Sequence, residues 1–152
     1  MPADEPLEKL NDYLTRIEAT EILRQRSVAL LALYQAFPGG HPSDFFVSEY
    51  RLDDGALVYE SLSLFTNDVV MEAKIPDPGD EQFDFAPIGH GIRHIVVQTK
   101  AYDLTRASAS SRMQVQFWLD GQRVGELRAS GVNCDELKKI VTTYLIPNVT
   151  AP

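Results

Sequence analysis

Apolar residues in the first third of the chain recur with the period of an α-helix. Four of them are three or four positions apart and share one helical face: Leu7, Leu10, Leu14 and Ile17. This spacing loses its phase at Glu21 and resumes downstream. It predicts either one long helix with a rotated face or two helices that meet near residues 19–20, with Thr20 as a cap. The proline- and glycine-rich run at 38–42 ends the helical region, because proline cannot continue a helix.

From residue 43 onward the period changes to two, which is typical of β-strands that bury one face. Two Asp-Gly pairs, at 54–55 and 120–121, are typical hairpin turns because both positions tolerate positive φ. The alternation predicts six or seven antiparallel strands, at 45–50, 56–65, 69–75, 83–85, 92–102, 113–119 and 122–129. The segment at 83–85 is short, so the predicted number of strands is seven if it forms one and six if it does not.

The strand at 113–119 has the clearest alternation in the chain. Its buried face is predicted to consist of Met113, Val115, Phe117 and Leu119. Trp118 falls on the opposite, polar face beside Gln114 and Gln116. In the strand that follows, Gly125 is predicted to form a β-bulge, because the apolar residues on its two sides are out of phase by one position.

A final helix is predicted to begin at Asn133, whose side chain caps it, with Glu136 completing a capping box. Five residues spaced at i, i+3, i+4, i+7 and i+8 form its apolar face: Leu137, Ile140, Val141, Tyr144 and Leu145. Pro147 ends the helix. The apolar face is expected to cover the sheet, because the sheet is the largest apolar surface that the chain offers.

These elements predict an α+β fold in one structural unit. A helical segment at 1–38 precedes an antiparallel β domain with a C-terminal capping helix at 43–147. Over residues 44–146, the order of seven short strands closed by a helix resembles pleckstrin-homology-like bacterial domains. That resemblance implies a barrel or sandwich and, by analogy, a lipid-surface role. The phosphoinositide binders of that family carry Lys and Arg around the first hairpin, whereas this turn is Asp53-Asp54-Gly55. A nuclear transport factor-like (NTF2-like) α+β cone is the alternative fold.

The charge of the chain disfavours nucleic acid and membrane partners. The formal net charge is −8, and such a chain repels phosphate backbones and anionic lipid head groups. Half of the 22 acidic residues lie at 38–87, which contains only two basic residues. No apolar run approaches the roughly 20 residues of a membrane span, and the acidic N-terminus is unlike a signal peptide, so a cytoplasmic location is expected. The single cysteine, Cys134, excludes an internal disulfide.

Candidate binding residues are few, and no catalytic group, metal site or cofactor is predicted. His90 and His94 on one strand would be about 13 Å apart, too far to share a metal ion. With Asp84 they are the candidate polar residues of a small-molecule or enzymatic pocket between the N-terminal helices and the sheet. Arg106 and Arg112 are a candidate anion site. Cys134 is the candidate reactive thiol, because helix N-termini lower thiol pKa values. A first-turn helical cysteine that packs against a sheet is more often inert, and that is the favoured interpretation.

The apolar residues outside a single core suggest contact with protein. Trp118, Gln114 and Gln116 are candidate interface residues, because tryptophan contributes strongly to interface energetics. A second set of candidate interface residues is Leu7, Leu10 and Leu14. These residues pack either on the sheet of their own chain or on a neighbouring chain. The sequence therefore favours a non-enzymatic protein-interaction domain that self-associates. Small-molecule binding or enzymatic activity, and lipid-surface binding, are the alternatives.

Overall fold

A computed structural model describes residues 5–36, 42–51, 57–75, 82–89, 91–100, 112–119 and 124–149. Within these ranges the chain is α+β, as the sequence predicts, with three α-helices and two antiparallel sheets. The helices are α1 (Glu5–Arg16), α2 (Glu21–Tyr34) and α3 (Asn133–Ile140). The pairing of the described strands forms two separate sheets rather than a closed barrel.

The N-terminal segment forms two helices rather than one. Glu18 adopts a positive φ of 56°, which interrupts the helix after α1. Thr20 then caps α2, because its hydroxyl oxygen accepts a hydrogen bond of 3.2 Å from the Leu23 amide. The sequence-based assignment of Thr20 as a cap is therefore confirmed, and the phase change of the leucine stripe marks the junction.

The alternation of residues 44–130 produces seven described strands. They are β1 (Asp44–Arg51), β2 (Leu57–Phe65), β3 (Val69–Lys74), β4 (Phe83–Pro87), β5 (Ile92–Lys100), β6 (Arg112–Leu119) and β7 (Val124–Ser130). The first sheet has the order β1-β2-β3-β4, the second has the order β5-β6-β7, and every neighbouring pair is antiparallel. The predicted turns at 54–55 and 120–121 lie outside the described residues.

The predicted bulge at Gly125 is wrong. Strands β6 and β7 pair in unbroken register, with Gly125 directly opposite Phe117. Bulges occur instead in β2, where Glu60 is the extra residue opposite β1, and in β5, at Arg93. Glycine is required at position 125 for a different reason, because a side chain there would overlap the Phe117 ring.

The N-terminal helices pack against the first sheet. Leu10 and Leu14 are fully buried within the chain. On α2, the ring of Tyr34 stacks on Phe85 of β4 at 6.3 Å between centroids. Arg26 of α2 donates a hydrogen bond of 2.9 Å to the carbonyl oxygen after β3. The helices therefore cover their own chain, which answers the question of where the leucine stripe packs.

The C-terminal helix packs against strands of both sheets. α3 contacts β1, β6 and β7, and the predicted apolar face is buried. The helix continues as a π-helical turn (Val141–Leu145) and a 3-10 turn (Ile146–Asn148). Tyr144 stacks on Phe65 with ring centroids 5.0 Å apart, and its hydroxyl donates to Asp44 at 2.5 Å. The predicted cap at Asn133 is wrong, since Val132 occupies the N-cap position without a side-chain hydrogen bond.

Candidate functional site

A buried polar cluster surrounds Val47 at the outer edge of the first sheet. The Tyr13 hydroxyl accepts a hydrogen bond of 2.7 Å from the Val47 amide and donates one of 2.8 Å to Asn133 Oδ1. Asn133 Nδ2 in turn donates to the Val47 carbonyl oxygen at 2.9 Å. Burial is the main reason that the pKa of Tyr13 lies well above its usual value, so the hydroxyl keeps its proton. The cluster joins α1, β1 and α3, which makes it a structural anchor.

A second group of polar contacts joins the two sheets. The Ser48 hydroxyl oxygen accepts from the Arg128 amide at 2.9 Å. Glu49 Oε1 accepts from both the amide and the hydroxyl of Ser130, each at 3.0 Å. Because β1 and β7 belong to different sheets, these side chains replace the backbone ladder that a closed barrel would have there. These contacts hold the two sheets together, so their role is structural.

Cys134 is buried at the start of α3, which favours the expected inert thiol over a reactive one. The pKa of the thiol is raised to about 11, chiefly by burial and in smaller part by the negative charges of Glu49 and Asp135. Burial therefore outweighs the helix dipole, which would have lowered the pKa. A neutral, buried thiol is a poor nucleophile.

We expect Cys134 to react slowly with Ellman's reagent in the folded protein and at a normal rate in urea. Its pKa rises from 9.0 to about 11 on folding, so the thiol stabilises the fold below pH 9 and this contribution is lost as the pH rises towards 11. Cys134→Ala should reduce the decline of Tm over that interval, while the decline due to tyrosine ionisation remains. Equal slopes of Tm against pH in the two proteins would contradict the buried thiol.

A cavity of about 200 Å³ lies between the two sheets. Its acidic and hydroxyl-bearing residues are Glu60, Ser63, Glu72, Asp84 and Glu126, and its apolar and small residues are Val70, Ala86, Phe117, Leu119, Gly125 and Leu127. Within this cavity Ser63 is fully buried, and its hydroxyl has no hydrogen-bond partner. The predicted pocket was placed between the N-terminal helices and the sheet, whereas the cavity that includes Asp84 lies between the sheets.

The structure separates the residues that were predicted to share a pocket. His94 does not line the cavity of Asp84, and its ring lies instead 5.2 Å from the ring of Trp118 on the neighbouring strand. Arg112 is exposed at the beginning of β6. His90 and Arg106 lie outside the described residues. Asp84 is therefore the one described member of the predicted ligand set that borders the inter-sheet cavity.

The outer face of the second sheet has the composition that the alternation predicts. Gln114, Gln116 and Trp118 are half-buried, while the apolar residues between them are buried. Glu126 on β7 accepts hydrogen bonds from Gln114 at 2.9 Å and from Arg128 at 2.5 Å. This face therefore combines an aromatic pair with amide groups and an ion pair.

Most of the leucine residues that were predicted to form an interface are buried inside their own chain. Leu10 and Leu14 have no exposed surface, and Leu7 is 36% exposed. Sequence reasoning missed a different apolar residue, Val97 of β5, which is 46% exposed. Val97 lies opposite the buried Val115 and so shares its face, and the alternation, which places Ile95 and Val97 on one side of the strand, gave no signal that Val97 is exposed.

No three His, Cys, Asp or Glu side chains in these ranges are grouped so that they could hold a metal ion. No helix of the described residues is both long enough and apolar enough to cross a membrane.

No family model, no curated protein and no solved structure matches the chain.

Proposed function

We propose that the chain is a non-enzymatic protein-interaction domain that pairs with a second copy of itself along β5. The observation that carries this proposal is the 46% exposure of Val97 near the middle of a nine-residue edge strand. His94 of this strand and Trp118 of the neighbouring β6 extend the contact surface onto the outer face of the second sheet.

The outer edge of β5, meaning the side away from β6, resembles a site of strand addition. Ile92 is bridged to Val149, and beyond this bridge no strand among the described residues pairs with that edge. Natural edge strands are commonly protected by proline, lysine or a bulge at the centre. The centre of β5 is instead Ile95-Val96-Val97, which favours pairing with another strand.

A second copy is the partner that this strand fits. Antiparallel pairing of a strand with itself obeys two-fold symmetry, the commonest symmetry of protein dimers. Centred on Val96, the pairing places Ile95 opposite Val97 and His94 opposite Gln98. Arg93 then faces Thr99, so no like charges lie directly opposite each other. The strand is therefore complementary to itself.

A pleckstrin-homology-like arrangement is the finer fold that we propose. The division into four and three antiparallel strands, and a C-terminal helix that contacts strands of both sheets, support it. A lipid-surface role is not part of the proposal, because the first hairpin turn is acidic in sequence and the chain has a net charge of −8.

Light scattering after size exclusion tests the self-association. At tens of micromolar, the native chain should elute with twice its mass of 17.0 kDa, and Val97→Lys should elute as a monomer. A lysine at the centre of an edge disfavours strand pairing. Val97→Thr, which retains β propensity, and Gln25→Lys, which adds the same charge on α2, should remain dimeric. A native chain that is strictly monomeric at this concentration would refute the proposal.

A further inference from the structure

We infer that a second cavity, bounded by α1, α3 and the beginning of β1, binds a small zwitterion in which an aliphatic chain separates an ammonium group from a carboxylate. The cavity has a volume of about 360 Å³, within the range of roughly 300–1,000 Å³ that ligand pockets occupy. Six charged residues line it: Lys9, Asp12, Arg16, Asp44, Glu136 and Lys139. None of its lining residues belongs to the second sheet, so the inference does not rest on pairing along β5.

The charges that line the cavity balance overall but lie on different walls. The two helices contribute three cations and two carboxylates, and β1 contributes one carboxylate, that of Asp44. The helical wall is therefore net positive by one charge, and the strand wall is net negative by one. A ligand with a single charge is attracted by one wall and repelled by the other, whereas a zwitterion can be attracted by both.

The negative end of the cavity is an exposed carboxylate that a buried ring holds in place. The Tyr144 hydroxyl donates to Asp44 Oδ2 at 2.5 Å, and the Tyr144 ring stacks on the fully buried Phe65. Burial raises the pKa of Tyr144, so its hydroxyl remains a donor. No lysine or arginine of the described residues forms an ion pair with Asp44. Because a carboxylate accepts several hydrogen bonds, Asp44 can bind an ammonium group as well as Tyr144.

The positive end of the cavity is organised around Glu136, whose side chain is only 10% exposed. Arg16 Nε donates to Glu136 Oε1, and Lys139 Nζ lies 3.6 Å from Oε2 of the same carboxylate. Lys9 Nζ lies 3.6 Å from Glu5 Oε1, outside the cavity. Both lysine contacts are longer than a hydrogen bond, and each ammonium has three donors. Lys9 and Lys139 can therefore donate to a ligand carboxylate that enters the cavity.

Two apolar side chains lie next to the charged ends. Phe45 follows Asp44 in β1, and Ile140 follows Lys139 in α3. Both line the cavity, and each is 4% exposed. An aliphatic chain gains from contact with such side chains, because this contact removes apolar surface from water. Charges on separate walls together with these apolar residues favour a ligand whose own two charges are joined by a hydrocarbon chain.

The π-helical turn after α3 is an independent indication of a site. Thr143 of this turn lines the cavity, and Tyr144 of the same turn holds the Asp44 carboxylate. Single π-helical turns are rare in proteins and frequently occur at functional sites. Here the turn contributes to both the wall of the cavity and the placement of its negative end.

Binding of 6-aminohexanoate tests this inference by calorimetry and by amide NMR shifts. The controls are hexanoate and hexylammonium, which have a similar chain and only one of the two charges. We expect saturable binding of the zwitterion in the millimolar range or tighter, with shifts at α1, α3 and the beginning of β1. Each control should bind at least tenfold more weakly, because it leaves one charged wall without a partner.

Two neighbouring lysines of α3 separate a local contact from a general effect of charge. Lys139 and Lys138 each form an i,i+3 ion pair, with Glu136 and Asp135, but only Lys139 lines the cavity. Lys139→Gln should weaken binding of 6-aminohexanoate about five- to tenfold, and Lys138→Gln should leave it unchanged. Asp44→Asn should weaken it by a similar factor, since it removes the charge but keeps an oxygen that can accept from Tyr144.

Three results would each overturn the inference: no saturable binding of 6-aminohexanoate, equally tight binding of either control compound, or equal losses of affinity in the two lysine variants. The outcome is separable from that of the proposed function. A monomeric native chain that binds 6-aminohexanoate would refute self-association alone, and a dimer that does not bind it would refute this inference alone.

Discussion

Replacing Asn133 with alanine is expected to lower the free energy of unfolding by about 3 kcal/mol, since each buried group left without a partner costs roughly 1–3 kcal/mol. The change leaves the Val47 carbonyl oxygen without its donor and the Tyr13 hydroxyl without its acceptor. Both groups are buried, so water cannot replace the missing partner. In a chain of this size the loss corresponds to a decrease in Tm of about 6–12 °C.

Urea unfolding of the native chain and four variants measures this effect and its origin. Asn11→Ala is the control, because Asn11 is exposed on α1 and its loss should change stability by less than about 0.5 kcal/mol. Tyr13→Phe removes only the hydroxyl, which leaves the Val47 amide unpaired. The double variant should lose less stability than the sum of the two single losses, since both act on one cluster. Additive losses would show that the two side chains act independently.

Gly125→Ala is expected to destabilise the protein by about 2 kcal/mol, within the range for an overpacked core. The new methyl group would lie 2.2 Å from Cζ and 2.5 Å from Cε2 of Phe117, far inside normal contact distance. The ring would have to rotate or the strands separate, because Phe117 is itself buried. Rotation of the ring would also change the shape of the cavity between the sheets, which Phe117 lines.

A smaller side chain at position 117 should relieve the clash. Phe117→Leu by itself loses buried area, yet combined with Gly125→Ala it should be more stable than the sum of the two changes implies. Gly91→Ala is the matched control, since a Cβ there meets its nearest neighbour, the Pro87 carbonyl oxygen, at an ordinary distance of 3.7 Å. A native-like Tm for Gly125→Ala, measured by calorimetry, would contradict the close approach of ring and backbone.

The elements that the sequence predicted well are those with a local cause. The phase change at residues 19–20 and the side chain of Thr20 specify the helix junction within four residues of sequence. The alternation of β6 decides which of its side chains are buried. Such signals depend on the geometry of one helix or strand, so they can be recognised without knowing what packs against it.

The elements that the sequence predicted wrongly are those with a distant cause. Asn133 has the residue type and spacing of a helix cap, but Tyr13, 120 positions earlier, takes its side-chain oxygen. Gly125 resembles a bulge residue, but the ring opposite it explains its identity. In each case a local rule proposed one use for the residue and a tertiary contact imposed another.

The residues of the cavity between the sheets also divide into those that the sequence identified and those that it did not. Asp84 was identified from the sequence as a candidate polar residue, whereas Ser63 and Glu72 were not. The alternation of Ser61 and Ser63 in β2, and of Glu72 and Lys74 in β3, with apolar residues is typical of a sheet that has one face in solvent. The same pattern occurs here on the face that is turned to the second sheet, and only the packing of the two sheets makes it an interior.

The sequence by itself determined the elements of this protein: two N-terminal helices, an antiparallel series of strands and a C-terminal helix with one apolar face. Hydrophobic period and turn residues carry that information, because helix and strand each repeat over a few residues. Only the tertiary structure decided which polar groups are buried together, which strand remains at an edge and where a cavity forms. Those outcomes depend on residues far apart in the chain, and no local pattern encodes their distance in space.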